Sequence, residues 1–185
     1  MSKKDNIIKA TLDLIIEEGI YSTTLPKIFN RANVGSGTFY NYFSNKEDVV
    51  NQLFLEVYQH MYENIITNEI DGLSVKDRFV VLSMNTLKFA YYFPKEAKFA
   101  DEFANLSYIK DENKKLVFEL TEIFKNTVIE GQNQNLIKKM QPRLCSQVWY
   151  GILFNVINGY NNGKYEFTEK DFSKVIDIAW DAIKL

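Results

Sequence analysis

Residues 34–46 read VGSGTFYNYFSNK. Gly35 and Gly37 stand at alternate positions, which suggests a loop or a phosphate cradle. Phe39 and Phe43 stand four apart, the spacing of a helix with one buried face. A helical wheel separates the two readings. It turns Phe39 and Phe43 inward, sets Gly37, Thr38 and Asn41 on the opposite face, and leaves Tyr40 and Tyr42 on the flanks. An apolar face and a small polar face within so few residues predict a short helix from about Ser36 to Tyr42, with Gly35 in the turn before it.

Upstream, Leu25, Ile28, Phe29 and Ala32 fall at i, i+3, i+4 and i+7, the pattern of a second short helix. Residues 22–24, STT, offer capping oxygens for its start. Pro26 falls in its first turn, where a missing N–H costs little. Asn33 ends it, because asparagine tolerates the left-handed conformation of a helix stop. Two short helices joined by a tight turn form a helix-turn-helix. On one side lies an amphipathic helix over residues 4–18, with Ile8, Leu12, Ile15 and Ile16 on one stripe and Gly19 as its stop. On the other, Ser44 and Glu47 predict a capping box that opens a long helix over residues 46–68.

Such a unit can present its second helix to a DNA major groove. Residues 19–46 contain Lys27, Arg31 and Lys46 and no acidic residue, in a chain of net charge −2. Lys27 and Arg31 share one face of the first helix of the pair, where positive charge neutralises phosphate. On the second helix, Asn41 has the donor and acceptor set that pairs with adenine, and Thr38 can reach a base edge or a thymine methyl. Tyrosine hydroxyls at Tyr40 and Tyr42 suit phosphate oxygens, and Gly37 leaves room for close approach. The candidate DNA contacts are therefore Thr24, Lys27, Arg31, Ser36, Gly37, Thr38, Tyr40, Asn41, Tyr42 and Lys46.

Residues 7–50 resemble the N-terminal DNA-binding domain of the TetR/AcrR family of transcriptional regulators. The resemblance rests on Ala10, Leu14, Gly19, Thr24, Ile28, Ala32 and Val34. Its densest part is Gly37-Thr38-Phe39-Tyr40-x-Tyr42-Phe43 followed by Lys46-Glu47. The chain departs from the family pattern at Asn33 (usually Gly), Phe29 (usually Ala), Gly35 (usually Ser) and Pro26 (often polar or charged). The resemblance implies a double-stranded DNA operator, a small-molecule effector and a homodimer. It also implies a C-terminal helical domain for effector binding and dimerisation, and repression as the commoner sign of regulation.

The rest of the chain reads as helix on its own evidence. Ser74 and Asp77 resemble a capping box for residues 75–93, and Pro94 and Pro142 open further helices. Residues 111–130 are amphipathic, and Thr168 with Asp171 caps a last helix. The expected fold is all-α with about nine helices. The helix-turn-helix domain is expected over residues 1–48 and an effector-binding and dimerisation domain over residues 49–185. The stretch 144–157, LCSQVWYGILFNVI, is apolar nearly all round and needs cover on every side. A second subunit is the natural second cover, with Trp149, Leu153, Ile157, Phe172, Ile176, Ala179 and Ile183 as candidate dimer contacts. A twofold would set two recognition helices ~34 Å apart. Aromatic residues crowd the middle of the chain. They read either as plain core or as an apolar effector pocket. The candidate lining is Tyr58, Tyr62, Phe89, Phe103 and Phe124, with Asn85 and Gln147 as orienting groups.

Composition argues against other classes. His60, the single histidine, has no partner set for catalysis. No glycine-rich phosphate loop follows a strand, and no Cys/His cluster has metal spacing, so no enzyme, cofactor or metal is expected. Cys145 is the single cysteine, which rules out an intramolecular disulfide and fits a reducing compartment. Lys9 interrupts any signal-peptide core after Ile7 and Ile8, and no apolar run approaches the ~20 residues of a membrane span. A cytoplasmic protein is the expectation these features give. The competing reading is a helical interaction protein that kept the fold without DNA binding, and the acid-free set of Thr38, Tyr40, Tyr42 and Lys46 argues against it.

Overall fold

Helix-starting and helix-stopping residues cut the chain where its backbone turns. In the computed structural model, which describes residues 2–67, 70–103 and 109–185, the described residues form nine α-helices and no strand. In chain order they are α1 (Lys3–Glu18), α2 (Leu25–Ala32), α3 (Ser36–Tyr40), α4 (Lys46–Ile65) and α5 (Val75–Tyr92). They continue with α6 (Pro94–Phe103), α7 (Asp111–Asn133), α8 (Pro142–Asn161) and α9 (Phe172–Ile183). The all-α expectation holds.

Most of the expected boundaries are met by the expected residues. Gly19 closes α1 at φ 83°, and Asn33 closes α2 in the left-handed region at φ 52°, ψ 52°. The Ser74 hydroxyl accepts the Asp77 N–H at the start of α5. Pro94 and Pro142 occupy the first helical positions of α6 and α8. Some boundaries differ: α3 stops at Tyr40 and α4 at Ile65, short of the expected 42 and 68, and the Thr168–Asp171 box closes a 3-10 turn (Glu169–Asp171) ahead of α9. The cap of α4 differs too. The box at the start of α4 is not Ser44 with Glu47 but lies one residue later. The Asn45 side chain accepts the Asp48 N–H at 2.9 Å, and the Asp48 carboxylate accepts the Ser44 N–H at 2.8 Å. Ser44 and Asn45 are both good caps, and the frame that gives two bonds prevails.

The chain divides into two compact units, Met1–His60 with Lys95–Val117, and Met61–Pro94 with Phe118–Leu185. The first unit is built on α1, against which α2 and α3 pack. Ile7, Leu14, Ile15, Ile28, Phe39, Val49, Leu53 and Phe54 fill its core. The α6 segment belongs to this unit. Lys95 pairs with Asp13 of α1, Glu96 lies 2.7 Å from His60 Nδ1, and the Tyr58 hydroxyl donates to the Ala100 carbonyl at 2.8 Å. Burial and the Asp101 charge push the Tyr58 phenol well above its usual range. The buried Asn51 side chain accepts the Lys110 N–H at 2.9 Å and an Asn113 amide N–H at 3.2 Å, fastening the start of α7 to α4.

The second unit packs α5, α8 and α9 against one another. Trp149 is its hub. The indole stacks on Phe79 with centroids 4.3 Å apart, meets Phe124 at 4.7 Å, and donates from Nε1 to the Ser83 hydroxyl at 2.8 Å. The seven residues expected to face a second subunit, Trp149, Leu153, Ile157, Phe172, Ile176, Ala179 and Ile183, are all buried within this one chain. They are core, not an open face. A helix apolar all round does not reveal which side its own chain covers. The apolar residues left open on α8 and α9 are Leu144, Val148 and Ile178.

Cys145 sits inside the same unit, and burial raises its thiol above the ordinary range. A neutral, covered thiol is a poor nucleophile. Native protein at pH 8 is expected to react with a disulfide reagent on the order of 10²-fold more slowly than protein in denaturant. A native rate equal to the denatured rate would show that Cys145 is accessible.

Candidate nucleic-acid interface

The short helix α3 is held by rings. Phe39 and Phe43 are buried with centroids 5.5 Å apart, and Phe29 of α2 meets Phe39 at 5.1 Å and Tyr40 at 6.4 Å. Phe29, one of the departures from the family pattern, is thus the ring that joins α2 to α3. Regular helix stops at Tyr40. Asn41 and Tyr42 follow in a tight turn in which the Asn41 N–H bonds to the Gly37 carbonyl at 3.2 Å and the Tyr42 N–H to the Phe39 carbonyl at 2.9 Å.

The face opposite the rings is open. Ser36, Gly37, Tyr40, Asn41 and Tyr42 are exposed, and Thr38 is half-buried. A Cβ placed on Gly37 would meet nothing within 4 Å, so packing within the chain does not demand glycine there. Gly35 serves as the N-terminal cap of α3, and no side chain makes a capping bond. Thr24, the cap of α2, also makes no side-chain capping bond and is exposed. Its neighbour Thr23 is buried, with its hydroxyl turned back onto the Gly19 carbonyl at 2.9 Å.

The three cations are placed differently from the polar residues. The Arg31 guanidinium donates to both carboxylate oxygens of Glu17, at 3.0 and 2.7 Å. This pairing lowers the Glu17 carboxyl below its ordinary range and raises Arg31. The Lys27 ammonium pairs with Glu18 and donates to the Ser22 carbonyl at 3.1 Å. The stretch 19–46 is free of acids, but the last two residues of α1 supply them from just outside it. The Lys46 ammonium turns onto the Ile20 carbonyl, half-buried, and burial lowers its pKa. It ties the start of α4 to the turn after α1 and does not project outward.

The residues expected to line an effector pocket fall in both compact units. Tyr58 is in the first, buried, with its hydroxyl already bonded. In the second, Phe89 and Phe124 are buried, Tyr62 is half-buried, and the Asn85 amide donates to the Ile65 carbonyl at 3.1 Å. Gln147 is on the exposed side of α8, because Cys145, Ser146 and Trp149 take the inner side. The Phe103 side chain lies outside the described part of the chain. Among the described residues, no group of three acidic, histidine or cysteine side chains is placed to hold a metal ion. Among them also, no helix is long and apolar enough to cross a membrane.

Comparison with known families decides the class. Residues 7–53 match the model described as bacterial regulatory proteins, tetR family. Residues 54–185 match the tetracyclin repressor-like C-terminal domain. The chain belongs to the TetR family of bacterial regulatory proteins. Among individual relatives, the chain is 36% identical over 72 residues to the HTH-type transcriptional regulator HbdR of Aromatoleum sp.. That match covers 39% of this chain and 31% of the relative. It is 32% identical over 76 residues to the fatty acid metabolism regulator protein of Bacillus subtilis, covering 41% of this chain and 39% of the relative. Both matches thus span well under half of the relatives' own length. A TetR family regulator from Marinobacter aquaeolei superposes with a TM-score of 0.85 over 98% of this chain and 95% of its own, at 18% identity, which speaks for the fold. The TetR-type head on this chain is a DNA-binding, helix-turn-helix module of a transcription regulator.

Sequence reading did not find Glu17 and Glu18. Arg31 and Glu17 are fourteen residues apart, and no periodic signal links them. The available hint was that α1 ends in two acids and must pack on α2 in any helix-turn-helix.

Proposed function

We propose that this TetR-type chain is an effector-responsive repressor that acts as a homodimer in the cytoplasm. The observation that carries the DNA-binding part is the exposed polar face of α3, backed by Phe39 and Phe43 sunk beneath it. Residues 1–48 contribute that surface, and residues 49–185 take up the effector and the second subunit. Thr24, Thr38, Tyr40, Asn41 and Tyr42 are the contacts the geometry favours. The open apolar residues Leu144, Val148 and Ile178 are better candidates for the subunit contact than the buried seven. The effector is a small hydrophobic molecule. The aromatic content of the second unit supports this, as does the name of the B. subtilis relative, which ties that protein to fatty acid metabolism. Effector and operator weaken each other by the same factor, as linkage requires.

The test is binding to duplex DNA from the region flanking the protein's own gene, followed by fluorescence anisotropy. Tyr40→Phe keeps both ring contacts and removes only the hydroxyl. It is expected to weaken binding about tenfold, the equivalent of one phosphate hydrogen bond, with no change in the urea midpoint. A panel of free fatty acids and aromatic acids is then titrated into the complex. A member that releases the DNA supports the effector reading, and absence of any DNA binding favours the interaction-protein reading instead.

A further inference from the structure

The carboxylates on the α2 cations are oddly placed for α1 itself. Glu17 and Glu18 are the last two residues of α1, and its last turn carries no basic residue. Negative charge at a helix C-terminus opposes the helix dipole, so α1 does not gain from them. The pairs they make with Arg31 and Lys27 leave all four side chains between 36% and 46% exposed. Ion pairs so open to water add little to folding. They lie, however, on the two cations of the helix that precedes α3.

We propose that Glu17 and Glu18 tune DNA affinity by occupying the donors of Arg31 and Lys27 that a phosphate would otherwise take. The proposal rests on the DNA-binding reading of α2 and α3. A cation that arrives already neutralised brings no net charge to the duplex, so it displaces no condensed counterion. Each pair that persists in the complex removes about 0.9 from the salt slope. A phosphate that wins the contact must first displace a carboxylate in bidentate register with Arg31, which a guanidinium holds well. In either case the carboxylates hold the affinity below what two bare cations on α2 would give. They also keep both long side chains extended over the α1–α2 surface. Glu17 and Glu18 are positioning residues here, since they act through Arg31 and Lys27 without touching DNA.

The experiment measures the salt slope of duplex binding for the intact protein and for the double variant Glu17→Gln with Glu18→Gln. Glutamine keeps the length and an acceptor oxygen and removes the charge. The variant is expected to bind more tightly at low salt and to steepen the slope by up to ~1.8 per DNA-bound chain. Its advantage over the parent should then change on the order of tenfold or more between about 300 mM and about 50 mM salt. Glu17→Asp with Glu18→Asp keeps the charge and should keep the parental slope. Thermal melts of the free proteins control for folding. Parent and glutamine variant sharing one slope would overturn the proposal and leave the DNA-binding reading standing. A parent that binds no duplex even at low salt would overturn both.

Discussion

Phe39→Ala is expected to destabilise the DNA-binding head by about 3–5 kcal/mol, the range for emptying a buried aromatic site, and to abolish specific DNA binding. The size of the effect follows from how little else holds α3. The helix has five residues, far short of the length at which a helix persists alone. It is kept in place by Phe39, which is fully buried against Phe29, Tyr40 and Phe43. Removing that ring takes away the shared partner of three aromatic contacts. Tyr40 would lose the nearer of its two edge-on ring partners and keep only the longer contact to Phe29. Phe39→Leu, which keeps an apolar plug, should lose a smaller share of both stability and affinity. Urea unfolding with anisotropy titration on the same samples checks the prediction. Full DNA affinity in folded Phe39→Ala would refute it.

Trp149→Ala is expected to cost a similar ~3–5 kcal/mol in the second unit, and the neighbouring hydroxyl allows a finer test. The indole is fully buried between Phe79 and Phe124, and its N–H is spent on the Ser83 hydroxyl. Trp149→Phe keeps a ring but leaves the buried Ser83 hydroxyl without that donor. Ser83→Ala does the reverse. Either single change should cost ~1–3 kcal/mol for the stranded polar group. The double variant should cost less than the sum, with a coupling of ~0.5–3 kcal/mol. Additive losses in the cycle would show that the bond contributes nothing of its own. Trp180, the second tryptophan, packs edge-on to Phe79 at 5.0 Å and reports on the same core by fluorescence.

The parts of this fold that were legible in the sequence are those set by neighbours along the chain. The four-residue spacing of Phe39 and Phe43 foretold the buried side of α3, and Asn33 foretold the left-handed stop of α2. Pro94, Pro142 and Ser74 marked helix starts because a ring or a capping hydroxyl acts within one turn. What escaped the sequence was set by contacts across it. Arg31 finds Glu17 only once α2 lies on α1, so a stretch without acids gave too positive a picture of the surface. Lys46 finds the Ile20 carbonyl twenty-six residues away and so does not extend outward. On α8 the difficulty was different. Trp149, Val148 and Leu144 all read as apolar, and only packing against Phe79 and Phe124 separates core from open face.

The place of α6 bears on whether the DNA-reading part can be moved between proteins. Cutting the chain after residue 53, where the match to the N-terminal family model ends, would keep the helix-turn-helix and discard the far partners of Asp13 and Asn51. A fragment extended to His60 would still lack Glu96 and the Ala100 carbonyl, the partners of His60 Nδ1 and of the Tyr58 hydroxyl. A graft of this head onto another body therefore has to carry residues 95–117 as well. The portable cassette is two segments brought together from separate parts of the chain, and a chimaera designed by linear cut and paste would inherit the reading helix without its brace.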